Sequence, residues 1–157
     1  MKKSLVTLTI AAGLVAGSVG GVALAGGHDK HPAVKARQAS MQLYAHYLGA
    51  LGAMAKGKVE YNAEAADAAA KSLHAVVGLD KSAMWPRGTD NESLPGQTGA
   101  LPSIWTTYPA VAEKGKALAD ASANMAQAAG QGLDSLRGAM GAVGGACGAC
   151  HKAFRAP

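Results

Sequence analysis

Gly144-Gly145-Ala146-Cys147-Gly148-Ala149-Cys150-His151-Lys152-Ala153-Phe154-Arg155 stands almost at the C-terminus of this 157-residue chain. Cys147 and Cys150 are its only cysteines. On a helix, residues three and four apart share a face, so both thiols and the His151 imidazole point the same way. Cys-x-x-Cys-His is the arrangement that attaches a c-type haem: two thiols add to two vinyl groups, and the adjacent imidazole reaches iron from one side. The segment therefore predicts one haem c per chain, with Cys147 and Cys150 as thioether attachments and His151 as proximal ligand. Gly144, Gly145 and Gly148 are expected to leave room where a porphyrin lies close to the backbone. A thioredoxin-like dithiol would sit at a helix N-terminus after a strand. A zinc site would need two further ligands, and a disulfide at this spacing closes too small a loop to staple a domain.

Outward from this segment, the sequence reads as helices. Leu133 to Arg155 forms the last, with Asp134 near its start. Pro32 to about Lys56 carries Val34, Met41, Leu48, Leu51 and Ala55 at helical spacing, with Pro32 suited to a first turn and Gly57 to a stop. A second helix is predicted from an Asn62 N-cap through Leu73, Val76 and Val77 to Gly78. Pro86, Pro95 and Pro102, with Gly88-Thr89-Asp90-Asn91, make Asp80 to Pro102 a loop. A third helix is expected from about Ser103 to Gly130, starting late or kinked at Pro109. No alternating β pattern is present. The predicted fold is all-α, a four-helix bundle.

The start of the chain reads as an address rather than as fold. Lys2 and Lys3 precede an uncharged run from Ser4 to Ala25 that ends in Ala23-Leu24-Ala25, the pattern of a cleaved secretory signal. The expected division is a signal peptide over residues 1–25 and one mature domain over 26–157, in the bacterial periplasm. Loss of Lys2 and Lys3 leaves a mild, dispersed positive charge, without a basic block or interleaved aromatics, so nucleic-acid binding has no support. Only one Phe, two Trp and four Tyr occur among abundant alanines. Small side chains bury little area, and a large apolar cofactor would fill so thin a core. Cleavage after Ala25 would expose Gly26-Gly27-His28. Its amine, two amide nitrogens and His28 imidazole can wrap Cu(II) or Ni(II) in a square plane; the alternative is a tail whose third residue happens to be His.

The C-terminal run resembles the end of class II c-type cytochromes, the cytochrome c′ family. Arg37-Gln38-Ala39-Ser40-Met41, Ala55-Lys56-Gly57 with Tyr61-Asn62, and Pro102-Ser103-Ile104-Trp105 carry the resemblance through the chain. It implies an up-down-up-down bundle with one covalently bound haem, a basic residue at Arg155 on the proximal side, and a homodimer through the first two helices. It places the distal residue at Met41, which in that family position either ligates iron or merely covers it. Arg37-Gln38-x-x-Met41 is similar to five-coordinate, high-spin members, whereas Leu48 to Gly57 is more similar to six-coordinate, low-spin ones. Arg37 lies one turn before Met41 on an apolar stripe and needs a partner, for which a haem propionate is a candidate. Met140 is expected to lie beside the haem; Met54, Met84 and Met125 to be core or loop residues; His46 and His74 to be surface or core. One-electron transfer with periplasmic redox partner proteins is the leading function. Binding of NO or CO at an open sixth site, as in nitric oxide scavenging, is the second. No nucleophile–base pair or acidic dyad suggests an enzyme.

Overall fold

A computed structural model describes residues 30–157. The expected signal segment, its cleavage site and His28 lie outside the described residues. The main helices are α1 (Pro32–Ala55), α2 (Ala63–Val77), the single turn α3 (Ser103–Thr106), α4 (Tyr108–Ala128) and α5 (Leu133–Phe154). Apart from α3, each helix borders two others: α1 lies against α2 and α5, and α4 lies against α2 and α5. This is the predicted up-down-up-down four-helix bundle. No helix among the described residues is long and apolar enough to cross a membrane.

Local chemistry sets the boundaries. Pro32 occupies the first turn of α1, and the His31 side chain accepts from the Ala33 amide. At the other end Gly57, at φ 67°, turns the chain left-handed. Its N–H donates to Met54 O, and the Lys58 N–H donates to Ala53 O, which satisfies carbonyls that α1 leaves open. Asn62 caps α2 through its side-chain oxygen and the Ala65 amide at 2.8 Å. Pro109 falls in the first turn of α4. The expected third helix therefore splits at Thr107 into α3 and a late-starting α4, because a proline ring has no clash where no preceding turn exists.

Leu51, Leu73, Met125, Leu136 and Val143 are the largest apolar side chains fully buried on the bundle axis. Met54 and Met125 are core, as expected. His46 stacks edge-on against Tyr47 at the surface, and His74 bonds Ser122 Oγ at 3.0 Å.

The long connection between α2 and α4 is more ordered than its composition implies. It contains a 3-10 turn, Ser82–Met84, and an Asp90 carboxylate that accepts from the Glu92 and Ser93 amides. Its end pairs with the C-terminal tail: the Leu101 N–H donates to Phe154 O and the Ala156 N–H to Gly99 O. The loop is thus stitched to the end of the helix that carries His151.

Candidate functional site

A cavity of about 1130 Å³ lies between α1 and α5 and is closed by the long loop, α3 and the start of α4. Ligand pockets commonly occupy roughly 300–1,000 Å³, so this one has room for a large, mostly apolar group. From α5, Ala146, Cys147, Cys150, His151 and Phe154 line it, with Arg155 just past the helix end. These positions recur at three, four and seven residues, so one side of a single helix supplies both thiols and the imidazole. From α1, Arg37, Gln38, Met41, Tyr44, Ala45 and Leu48 line it. Met41 is 42% exposed and Tyr44 only 7%. The Met41 thioether and the His151 imidazole therefore stand on opposed helices.

Aromatic groups close the end. Trp85 from the loop and Trp105 from α3 meet with ring centroids 6.1 Å apart, and the Trp105 indole N–H donates to the Trp85 carbonyl at 2.9 Å. Both pack with Phe154 and Cys150 around Ala100 and Ile104. Lys81, Arg87, Lys114 and Arg155 supply positive charge along the lining, against Asp80.

Burial tunes the ligating groups. It pushes both thiols above the ordinary cysteine value, Cys150 further through the neighbouring Cys147, so both are held protonated. His151 is held below its ordinary value, first by burial and then by the Arg155 charge. The neutral ring retains the lone pair that an iron ligand needs. The donor set fits a covalently held haem: two half-buried thiols and a neutral imidazole on one wall, a thioether on the other, and apolar and aromatic surface between. Among the described residues no group of three or more His, Cys, Asp or Glu is placed to hold a metal ion.

Two expectations need correction. Gly144, Gly145 and Gly148 do not line the cavity; they are exposed, and a Cβ on any of them would meet nothing within 4 Å. Cys147 and Phe154 turn inward; Gly145 falls on the opposite side of the helix, and Gly144 and Gly148 on its flank, clear of the lining. Met140 does not line the cavity either. Its methyl stands 3.5 Å from the Cβ position of Gly52, and it borders an adjoining groove of about 560 Å³ that shares Ala45 and Leu48 with the cavity.

Arg37 has a partner, as a buried charge must. It is 4% exposed, and its two terminal nitrogens donate to Thr89 Oγ1 at 2.8 Å, to the Thr89 carbonyl, to Thr98 Oγ1 at 2.9 Å and to Met84 O at 3.4 Å. Gln38 follows suit, donating from Nε2 to Gln97 O at 2.9 Å. Arg155 is exposed beside His151, and its backbone N–H donates to the His151 carbonyl. The sequence reading missed Tyr44, Trp85, Lys81 and Arg87. Tyr44 was findable, standing three residues after Met41 on one helical face. The other three belong to a loop without periodicity, and only the fold brings them to the cavity.

An all-helical bundle with paired thiols and an imidazole lining a large internal cavity defines a c-type haem protein of four-helix type. The family model described as cytochrome C′ matches residues 32–155. A cytochrome c-554 of Cereibacter sphaeroides is 40% identical over 125 residues, 78% of this chain and 79% of that protein. A cytochrome c′ of the same organism is 38% identical over 127 residues, 81% of this chain and 85% of that protein. The solved cytochrome c′ from Rhodobacter Spheriodes superposes with TM-score 0.76 at 39% identity, covering 79% of this chain and 95% of that one. A nitric oxide complex of a mutant cytochrome c prime from Alcaligenes xylosoxidans superposes with TM-score 0.70 at 32% identity, over 80% and 94%. The chain belongs to the cytochrome c′ family of haem proteins.

Proposed function

We propose that this protein is a periplasmic one-electron carrier holding one haem c, attached through Cys147 and Cys150, with His151 as proximal ligand. The single observation that carries the reading is the convergence of both thiols and the imidazole on one side of a cavity whose other side bears Met41. When bound, haem supplies the Fe(II)/Fe(III) couple. The chain's own residues attach it, hold a neutral imidazole on one side and limit water through Tyr44, Trp85, Trp105 and Phe154. Met41 is assigned as the sixth ligand, since among the α1 residues lining the cavity it is the only thioether. Arg155 is assigned to the proximal side, and for Arg37 a propionate contact is the alternative to its contacts with the loop.

The test is retention of haem under denaturing conditions, because thioether bonds do not need the fold. The Cys147→Ser, Cys150→Ser double variant should lose it. Extraction of haem from the parent protein into acid solvent would end the reading.

The second reading is a five-coordinate haem that binds NO or CO. It is favoured by solved relatives of 32% identity in complex with nitric oxide and carbon monoxide. A CO-induced change in the ferrous spectrum of the parent protein supports it; no change supports a six-coordinate carrier.

Export is part of the proposal. Mass spectrometry of the secreted protein should give Gly26 as the first residue, and Cu(II) titration should then give a visible band that disappears in His28→Ala. Another terminus removes the copper site and leaves the haem assignment standing.

A further inference from the structure

Arg37 is the most heavily engaged charge among the described residues, and every oxygen it bonds belongs to the loop. Its fork spans Thr89, Thr98 and Met84, and its guanidinium lies 4.7 Å from the centre of the Trp85 ring. Asp90, next to Thr89, adds attraction that offsets the cost of burying the charge. Thr89 is 2% exposed and is not among the residues lining the cavity. Its hydroxyl accepts from Arg37 and donates to Pro86 O at 2.7 Å, so both functions of the oxygen are used. Ser40, one residue before Met41, donates its hydroxyl to the Ala36 carbonyl at 3.1 Å, and its oxygen lies 3.6 Å from the Met84 sulfur. The turn of α1 that precedes Met41 is therefore bolted to the segment that carries Trp85, and Trp85 in turn abuts Trp105.

We propose that Arg37 is a positioning residue that fixes Trp85, stacked on it one helical turn before Met41, as a rigid wall at the end of the cavity, and so limits the size of ligand that the haem admits once Met41 no longer fills the sixth position. This rests on the haem reading above. A planar fork is required, because a lysine ammonium cannot serve oxygens of Thr89 and Thr98 together while stacking on an indole. A propionate role for Arg37 makes different demands: it needs the charge and is indifferent to Thr89.

The test uses holoprotein carrying Met41→Ala, which opens the sixth position in every variant compared. Ferrous protein is titrated with CO and with n-butyl isocyanide, and the ratio of the two affinities is the readout. In the parent background the isocyanide should be disfavoured. Thr89→Val, which keeps shape and removes the acceptor, should raise isocyanide affinity relative to CO by about tenfold, the lower end of what losing a buried hydrogen bond to a charge costs. Arg37→Lys should do the same, and Thr89→Ser should keep the parent ratio. Trypsin cleavage after the exposed Arg87 gives a readout independent of ligand binding, and it should accelerate in Thr89→Val and Arg37→Lys alike. An unchanged ratio in both variants overturns the proposal, whether or not cleavage accelerates. A ratio moved by Arg37→Gln but restored by Arg37→Lys, with Thr89→Val silent, also overturns it and returns Arg37 to a propionate. Should Thr89→Val fail to fold, Thr98→Val carries the same expectation. A parent chain that attaches no haem instead overturns the functional reading, a distinct outcome.

Discussion

Met41 and His151 approach the same space from α1 and α5, and the proposed haem chemistry turns on that pair. His151 is held neutral by burial and Arg155. Met41 offers a polarizable sulfur with three rotatable bonds behind it, so it can reach for iron or lie flat over it. Met41→Ala is expected to convert a low-spin ferric spectrum to high-spin and to open the site to CO. It should also lower the reduction potential, since a thioether stabilises Fe(II). An unchanged spectrum would mean that Met41 only covers the haem. Tyr44 adds a polar group to the same face of α1, three residues after Met41. Its phenol is buried, its ionisation is disfavoured by that burial, and its hydroxyl finds only the Val76 carbonyl at 3.4 Å.

Among the elements, the junction of α2, α4 and α5 depends on one hydroxyl. Tyr61 donates to the Ala129 carbonyl at 2.9 Å and accepts from the Gly132 amide at 3.0 Å, so it joins the entry to α2 with the turn into α5. Gly132 sits at φ 128°, where a side chain would be strained. Tyr61→Phe removes both bonds and should cost about 1–3 kcal/mol. Denaturant unfolding should show a lower midpoint at unchanged slope; a change below the error of the measurement would mean that water replaces the hydroxyl. Much of this level was legible in the sequence, because caps are local. Pro32, Gly57, Asn62 and Pro109 act within one turn of where they stand, and the helices begin or end beside them. The long loop was not legible. Arg37, Gln38, Thr89 and Thr98 are far apart in sequence, and the bonds that order the loop exist only after α1 and the loop have met. At the site the same division holds: Cys147, Cys150 and His151 are one local motif, whereas Trp85 reaches the cavity only through the tertiary fold.

For the molecule as a whole, the cavity separates the first half of α1 from the last turns of α5, whose other ends meet at Gly52 and Met140. The buried side chains of the bundle are small, with Ala66, Ala70, Ala121 and Ala129 beside a few leucines and methionines. A large group held between α1 and α5 adds apolar contact that those alanines cannot provide, and burying its apolar surface on folding favours the folded state even though thioether bonds would keep it on the unfolded chain. The Cys147→Ser, Cys150→Ser protein should therefore unfold at a lower temperature than the parent while keeping its helical circular dichroism in the cold. Equal midpoints would show that the alanine-rich core stands without the cofactor. The positive charges along the cavity lining, Lys81, Arg87, Lys114 and Arg155, also offset the two negative charges that haem propionates would bring.

The Trp85–Trp105 pair has an optical consequence. These are the chain's only tryptophans, and both border the cavity. A haem there would drain their excited states by energy transfer, so the mature holoprotein should be nearly dark under ultraviolet excitation. Emission would then come from chains that have not received their cofactor, and its decay during maturation in a cell envelope would time the attachment reaction without any added dye. Bright emission from fully loaded protein would place the two indoles away from the haem.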